Sequence, residues 1–154
     1  AAAQACLALL LTSLWIAPST AAFSRSAGAT LGEIGRWLRE NTAEDEVVAI
    51  YDIGLVGYLS HRPILDLGGL VNPPLNDLRD RMDDEEILLE GRFLRFGRPR
   101  WLVDRRDRPR ALAGAVLGDY RLQPILDGRV DNLGLTRPEP LWYTLYRLDP
   151  VPSR

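Results

Sequence analysis

The sequence contains no lysine: all 19 of its basic residues are arginine. Such uniformity points to a coding bias and carries no function by itself. Cysteine is nearly absent too, and the single Cys6 leaves the chain unable to form an internal disulfide or a cysteine zinc site. With one histidine, His61, any metal cluster or serine-histidine triad would have to be built around a single imidazole. Placed beside Arg62 in a polar turn, His61 reads as a surface loop residue. Methionine occurs once, at Met82, so residue 1 is not a translation start and the chain reads as a piece of a longer protein. A net charge of −2, from 19 basic and 21 acidic side chains, is too balanced for a nucleic-acid-binding domain or an acidic tail.

Charge is missing altogether from residues 1–24, and all the acidic and basic side chains lie beyond them. Within that leader, Ala1 to Ala17 is interrupted only by Gln4, Thr12 and Ser13. As a helix it would rise roughly 26 Å, slightly short of a hydrocarbon core of about 30 Å, and residues upstream would complete a span. Trp15 fits an interfacial aromatic belt, and Pro18 marks a helix end or kink. The rival readings are a secretory signal peptide, with Ser19-Thr20-Ala21 as small cleavage-site residues but no basic segment ahead of the run, and a buried core helix. Arg25, Arg36 and Arg39 follow closely, a pattern the positive-inside tendency associates with the cytoplasmic side.

The remaining 130 residues are one domain's worth of polypeptide of ordinary composition. A polar joint, Ser24 to Gly28, precedes Leu31, Ile34, Trp37 and Leu38 at helical spacing. Val47 to Tyr51 reads as a strand buried on both faces, Ile53 to Ser60 as a short crossover helix, and Pro63 to Leu67 as a second, parallel strand. Helices are expected at Leu75 to Met82, Asp84 to Phe96 and Pro109 to Leu117, and strands at Arg100 to Asp104, Tyr120 to Leu126 and Trp142 to Leu148. A loop with Gly128, Gly134, Pro138 and Pro140 separates the last two strands. The expected architecture is an α/β fold: a small, mostly parallel sheet with an antiparallel edge, preceded by an N-terminal transmembrane helix. The divisions are a truncated membrane helix at 1–23, a connecting helix at 24–46 and a soluble domain at 47–154.

The densest chemistry lies between Asp52 and Pro73. Asp52 and Asp66 each end a predicted strand, where open α/β sheets place ligands, and on neighbouring strands they could share a polar ligand or a cation. The structural alternative has Asp52 capping the next helix and Asp66 holding loop amides. Gly54 and Gly57 stand at a strand-to-helix turn, but Asp52 occupies the place of the first glycine of a dinucleotide fingerprint, and close packing explains both. Arginines crowd Arg92 to Arg110 just after an acidic stretch from Asp77 to Glu90. That pattern is either mutual surface pairing or contact with anionic lipid headgroups.

The apolar run, the helix ending Trp37-Leu38-Arg39-Glu40-Asn41-Thr42, the strand Val47 to Tyr51, then Asp52-Ile53-Gly54, Gly57-Tyr58 and Arg62 to Asp66-Leu67 with Gly69-Leu70-Val71-Asn72-Pro73 together resemble one family. It is the C-terminal soluble domain of bacterial polytopic membrane glycosyltransferases, those similar to protein mannosyltransferases and aminoarabinose transferases. Residues 31–73 carry the resemblance. It implies an extracytoplasmic domain of a multi-pass cell-membrane protein that transfers sugar from a polyprenyl-phosphate donor. The implied partners are the lipid bilayer, upstream membrane helices of the same protein and a lipid-linked sugar; neither a cofactor nor nucleic acid is among them. The family's catalytic carboxylate lies in an early loop that this stretch does not contain, so no catalytic or metal residue carries over. The candidates for ligand or interface contact are Asp52, Gly54, Gly57, Tyr58, Arg62, Asp66 and Asn72. The alternative is a non-enzymatic, membrane-tethered α/β binding module.

Overall fold

A computed structural model describes residues 2–131 and 139–152. The chain begins with one long helical rod, Ala2–Asn41, made of α1 (Ala2–Leu11), a π-helical turn at Thr12–Ile16 and α2 (Ala17–Asn41). The wide turn lies immediately ahead of Pro18. Proline has no amide to donate and its ring crowds the carbonyl four residues back, so an inserted residue in the ladder relieves the clash without ending the helix. The polar joint expected at Ser24 to Gly28 is therefore helical, and membrane-compatible run and docking helix form one element.

The two halves of the rod meet different surroundings. No residue of α1 is buried, and Leu7, Leu9, Leu10, Leu14 and Trp15 are all exposed. Among the described residues this is the one helix long and apolar enough to cross a membrane, and nothing in the domain covers its apolar half. The buried-core-helix reading of the leader is thereby set aside. From Ala27 onward, the residues Ala27, Thr30, Leu31, Ile34, Gly35 and Leu38 turn one face into the domain. Trp37 flanks that face, edge-on to Trp101 with ring centroids 5.3 Å apart.

Six strands form one sheet: β1 (Val48–Ile50), β2 (Ile64–Asp66), β3 (Trp101–Arg106), β4 (Val116–Leu117), β5 (Tyr120–Val130) and β6 (Leu141–Pro150), in the order β2-β1-β3-β6-β5-β4. β1 runs parallel to both β2 and β3, whereas β3–β6, β6–β5 and β5–β4 are antiparallel. The α/β class and the parallel first half are as expected. The antiparallel part is half of the sheet, because β5 and β6 continue well beyond the short alternating stretches that signal them. Ile125 is left out of the β5–β6 register at a bulge beside Pro124, where the strand bends.

Helices cover both faces. α2 and α3 (Ile53–Ser60) lie on one, over Val48, Ile50, Trp101, Val103, Tyr143 and Leu145. On the other are α4 (Pro73–Arg79), α5 (Asp84–Leu89) and a 3₁₀ turn, Arg92–Phe96, over Ala49, Leu65, Leu102, Leu122, Tyr146 and Leu148. Asp83 opens α5 by accepting the Glu86 amide at 2.7 Å. The single helix expected over Asp84 to Phe96 is broken at Gly91, whose φ of 66° lets the chain pass the Gly118 backbone.

The helix expected at Pro109 to Leu117 is absent. Arg110 and Gly114 take positive φ, and the Arg110 and Leu112 amides donate to Thr144 Oγ1 and Tyr146 OH instead of closing helical turns. Gly128, placed in a loop by its type, lies inside β5; a Cβ there would stand 2.6 Å from Thr30 Oγ1, so the glycine marks close approach of α2. Pro140 is in the connection before β6, and Gly134 and Pro138 lie outside the described residues.

Gly35 plays the same part toward α3: a Cβ on it would meet Leu59 Cβ at 2.9 Å and the Val56 carbonyl at 3.4 Å. Gly35→Val should cost about 1–3 kcal/mol of stability through this overpacking. Gly28→Ala, on the same helix with nothing within 4 Å, should be neutral or stabilising. Denaturant unfolding of the detergent-solubilised chain distinguishes them, and equal midpoints would disprove close packing at Gly35.

Candidate functional site

Strand parity assembles the site. In β3, Trp101, Val103 and Arg105 point to the α2 face, and Arg105 is opposite Tyr143 in the antiparallel register. Ile50 is in register with Val103, so Asp52, just beyond the end of β1, falls beside Arg105. Arg105 Nη1 donates to Asp52 Oδ1 and Oδ2 at 2.8 and 2.7 Å, and Tyr143 OH donates to Oδ2 at 2.7 Å. Burial pushes the Tyr143 phenol above its ordinary range and the Asp52 carboxylate adds to the effect. The phenol therefore stays a hydrogen-bond donor.

Of the two readings of Asp52, the capping one fails: its side chain accepts no amide of α3. A guanidinium and a phenol within reach are stronger partners for a carboxylate than one backbone amide. Arg105 and Tyr143 were both missed as members of a site. Neither stands in a motif, and only the pairing of β3 with β6 brings them together.

The triad lies at the place where the sheet reverses its connections. The segment after β1 crosses on the α2 face as α3, whereas the residues after β3 pass over the opposite face, where Leu112 and Tyr146 meet. Open α/β sheets form their ligand crevices at such a switch point, beyond the carboxyl ends of the strands. Here a cleft of about 600 Å³ runs between the α2 residues Phe23, Ala27 and Leu31 and the segment Tyr51 to Leu55, with Leu70 at its lip. Its walls are mainly apolar and Asp52 supplies polarity at one side.

The other candidates divide between cleft and scaffold. Gly54 lines the cleft and has open space where a Cβ would be, whereas Gly57 packs against Ile64 of β2. Tyr58 is exposed and its ring lies 6.5 Å from that of His61, itself exposed at the left-handed end of α3. Arg62 is buried and serves α2: Nη2 donates to the Arg39 and Thr42 carbonyls and Nε to Thr42 Oγ1, each at 2.8 Å. A cation at these carbonyls closes the C-terminal end of the helix. Asp66 is buried and holds its own loop, accepting the Gly68 amide at 2.9 Å and the Val71 amide at 2.7 Å. Asn72 precedes α4 without capping it, and its Nδ2 is buried without a partner. Asp52 and Asp66 thus end neighbouring strands with their carboxylates engaged in separate tasks. Among the described residues no three metal-ligating side chains come together.

The opposite face carries a second acid–base cluster. Asp104 is buried and accepts Arg106 Nε at 2.8 Å, and Arg106 reaches Glu85. Arg106–Glu85 and Arg92–Glu90 join the acidic and basic stretches as the surface-pairing reading expects, whereas Arg79–Asp84 lies within the acidic stretch and Arg100, Arg105 and Arg110 pair with Glu46, Asp52 and Asp127 outside it. Burial raises the Asp104 carboxyl above its ordinary value of 3.8 and outweighs Arg106, which acts to lower it.

The fold and cleft define an α/β domain carried on a long N-terminal helix whose first half is apolar and uncovered. The chain belongs to the family described as a domain of unknown function (DUF8728), which matches residues 20–146. No curated protein and no solved structure matches it.

Two expectations follow. Tyr143→Phe should lower stability by about 1–2 kcal/mol by removing a hydrogen bond to a charged acceptor, and Asp52→Ala should cost more because it strands both Arg105 and Tyr143. If Asp52→Ala proves the milder of the two in denaturant unfolding, Asp52 is not the centre of the triad. Because the folded Asp104 carboxyl binds its proton more tightly than the unfolded one, its contribution to stability is largest below 3.8 and declines as pH rises to its folded value. Carboxyl-carbon NMR titration should find Asp104 above that ordinary value; a lower midpoint would show Arg106 dominating burial.

Proposed function

We propose that this chain is the C-terminal soluble part of an integral-membrane glycosyltransferase that moves a sugar from a polyprenyl-phosphate donor. In this reading the domain lies on the extracytoplasmic side of a multi-pass cell-membrane protein, with the catalytic carboxylate contributed by upstream membrane segments. One observation carries the proposal: the apolar rod and the domain's main packing helix are the same helix, Ala2–Asn41. A segment so joined holds the switch-point cleft at a fixed height above a bilayer, where an acceptor or part of a lipid-linked donor would pass.

The second reading is a non-enzymatic, membrane-tethered binding module. It draws on the state of Asp52, whose two oxygens are both occupied by Arg105, with Tyr143 as a further donor. A carboxylate so engaged suits an architectural or binding role better than proton transfer.

The 154-residue chain alone should show no sugar transfer from a polyprenyl-phosphate donor, whereas membranes containing the product of the complete reading frame should. Turnover by the isolated chain would overturn the assignment of catalysis to upstream segments. A reading frame with a single apolar span and no transfer activity would favour the tethered module.

A further inference from the structure

Leu70 and Val71 are two consecutive large apolar residues at the tip of the loop between β2 and α4, and they are 83% and 65% exposed. The loop is firmly held: Asp66 accepts the Gly68 and Val71 amides, Asn76 Nδ2 donates to the Gly69 carbonyl at 3.0 Å, and Arg79 donates to the Gly68 carbonyl. Buried Asp66 thus spends its carboxylate on presenting an apolar tip outward, where folding alone would favour covering it. Gly69 supports the same shape, with a φ of 77° and Asn76 occupying the space of a Cβ.

The position of that tip along the rod is fixed by the packing of α3. Ile53 shares the cleft with Phe23, Ala27 and Leu31; farther along, Leu59 touches Gly35; and Arg62 closes the helix at Arg39 and Thr42. α3 therefore runs in the same direction as α2, and the carboxyl ends of β1 and β2 point back toward the apolar half of the rod. Leu70 lines the cleft with Phe23 at that end. The uncharged run closes at Ser24 and Arg25 is exposed. A headgroup layer would fall between Trp15 and Arg25, which at 1.5 Å per residue is about 15 Å of helix.

We propose that the Leu70–Val71 tip inserts into the headgroup–acyl boundary of the bilayer crossed by the N-terminal helix, so that the domain rests on the membrane by the carboxyl edge of its parallel strands. The cleft then opens at the lipid surface, with Phe23 and Leu70 at its rim facing the headgroup layer. This rests on the membrane-spanning reading of the helix, and the two are separable by experiment.

The full chain is reconstituted into phosphatidylcholine–phosphatidylglycerol vesicles and carries one environment-sensitive fluorophore at a time. The label is placed on native Cys6, or, in a Cys6→Ser background, at Leu70→Cys, Val71→Cys or Asp45→Cys. Asp45 is an exposed residue in the turn before β1, at the far end of the domain. Nitroxide lipids labelled at the headgroup or deep in the acyl chain serve as quenchers, and near-ultraviolet circular dichroism verifies folding. The expected result is deep-nitroxide quenching at Cys6, several-fold stronger headgroup-nitroxide quenching at positions 70 and 71 than at 45, and blue-shifted emission at 70. Quenching at Cys6 with positions 70 and 71 no different from 45 would overturn the docking while leaving the span intact. No deep quenching at Cys6 would overturn the span and, with it, the docking.

Discussion

The seating of α2 on the sheet is the constraint on which the rest of the structure depends. Two glycines permit it: Gly35 lets α3 close against the helix, and Gly128 lets β5 pass under Thr30, whose hydroxyl donates to the Arg129 carbonyl at 2.9 Å. With those approaches made, Ile34 and Leu38 are wholly buried against Val48, Ile50 and Leu145. At roughly 1.5–3 kcal/mol per buried aliphatic side chain, these residues stabilise the domain as much as they orient its helix. A helix that is apolar at one end and a core element at the other cannot swivel freely, and this fixes the carboxyl edge of the sheet relative to the apolar half of the rod.

From that constraint comes the division of labour among the acids. Each of the three parallel strands carries an aspartate within it or just beyond it, and each is satisfied differently. Asp52 joins three strands by accepting from Arg105 and Tyr143, Asp66 shapes the loop that carries Leu70 and Val71, and Asp104 pairs with Arg106 on the far face. Two of the three lie on the edge nearest the apolar rod. The polar groups of that edge are therefore turned inward, toward scaffold tasks, and the outward surface beside the cleft is left apolar.

Much of the fold was legible in the sequence wherever local pattern and tertiary need agree. The run Val47 to Tyr51, the crossover helix Ile53 to Ser60 and the periodic face of Leu31, Ile34 and Leu38 all stand where their residue types put them. Legibility ended where one residue type serves two ends. Gly128 looks like a loop residue and is a strand residue beneath a helix, and Pro109 to Leu117 looks helical while its amides are claimed by side chains of β6. The site was half legible: Asp52 and Gly54 were found from their place after a strand, but Arg105 and Tyr143 were not, and Arg62 and Gly57 proved to be scaffold.

By itself, the sequence determined the elements and their character: an uncharged apolar helix, an α/β alternation, and an aspartate at the end of each of the first two strands. These follow from periodicity and charge, which act over a few residues. Only the tertiary structure decided which side chains meet. The partners of Asp52 are 53 and 91 residues away, and the register that joins them depends on β6 pairing with β3 rather than on any local preference. Burial and hydrogen bonding across the sheet turn distant residues into one triad, and they leave Leu70 and Val71 exposed on the loop after β2, with Leu70 at the cleft.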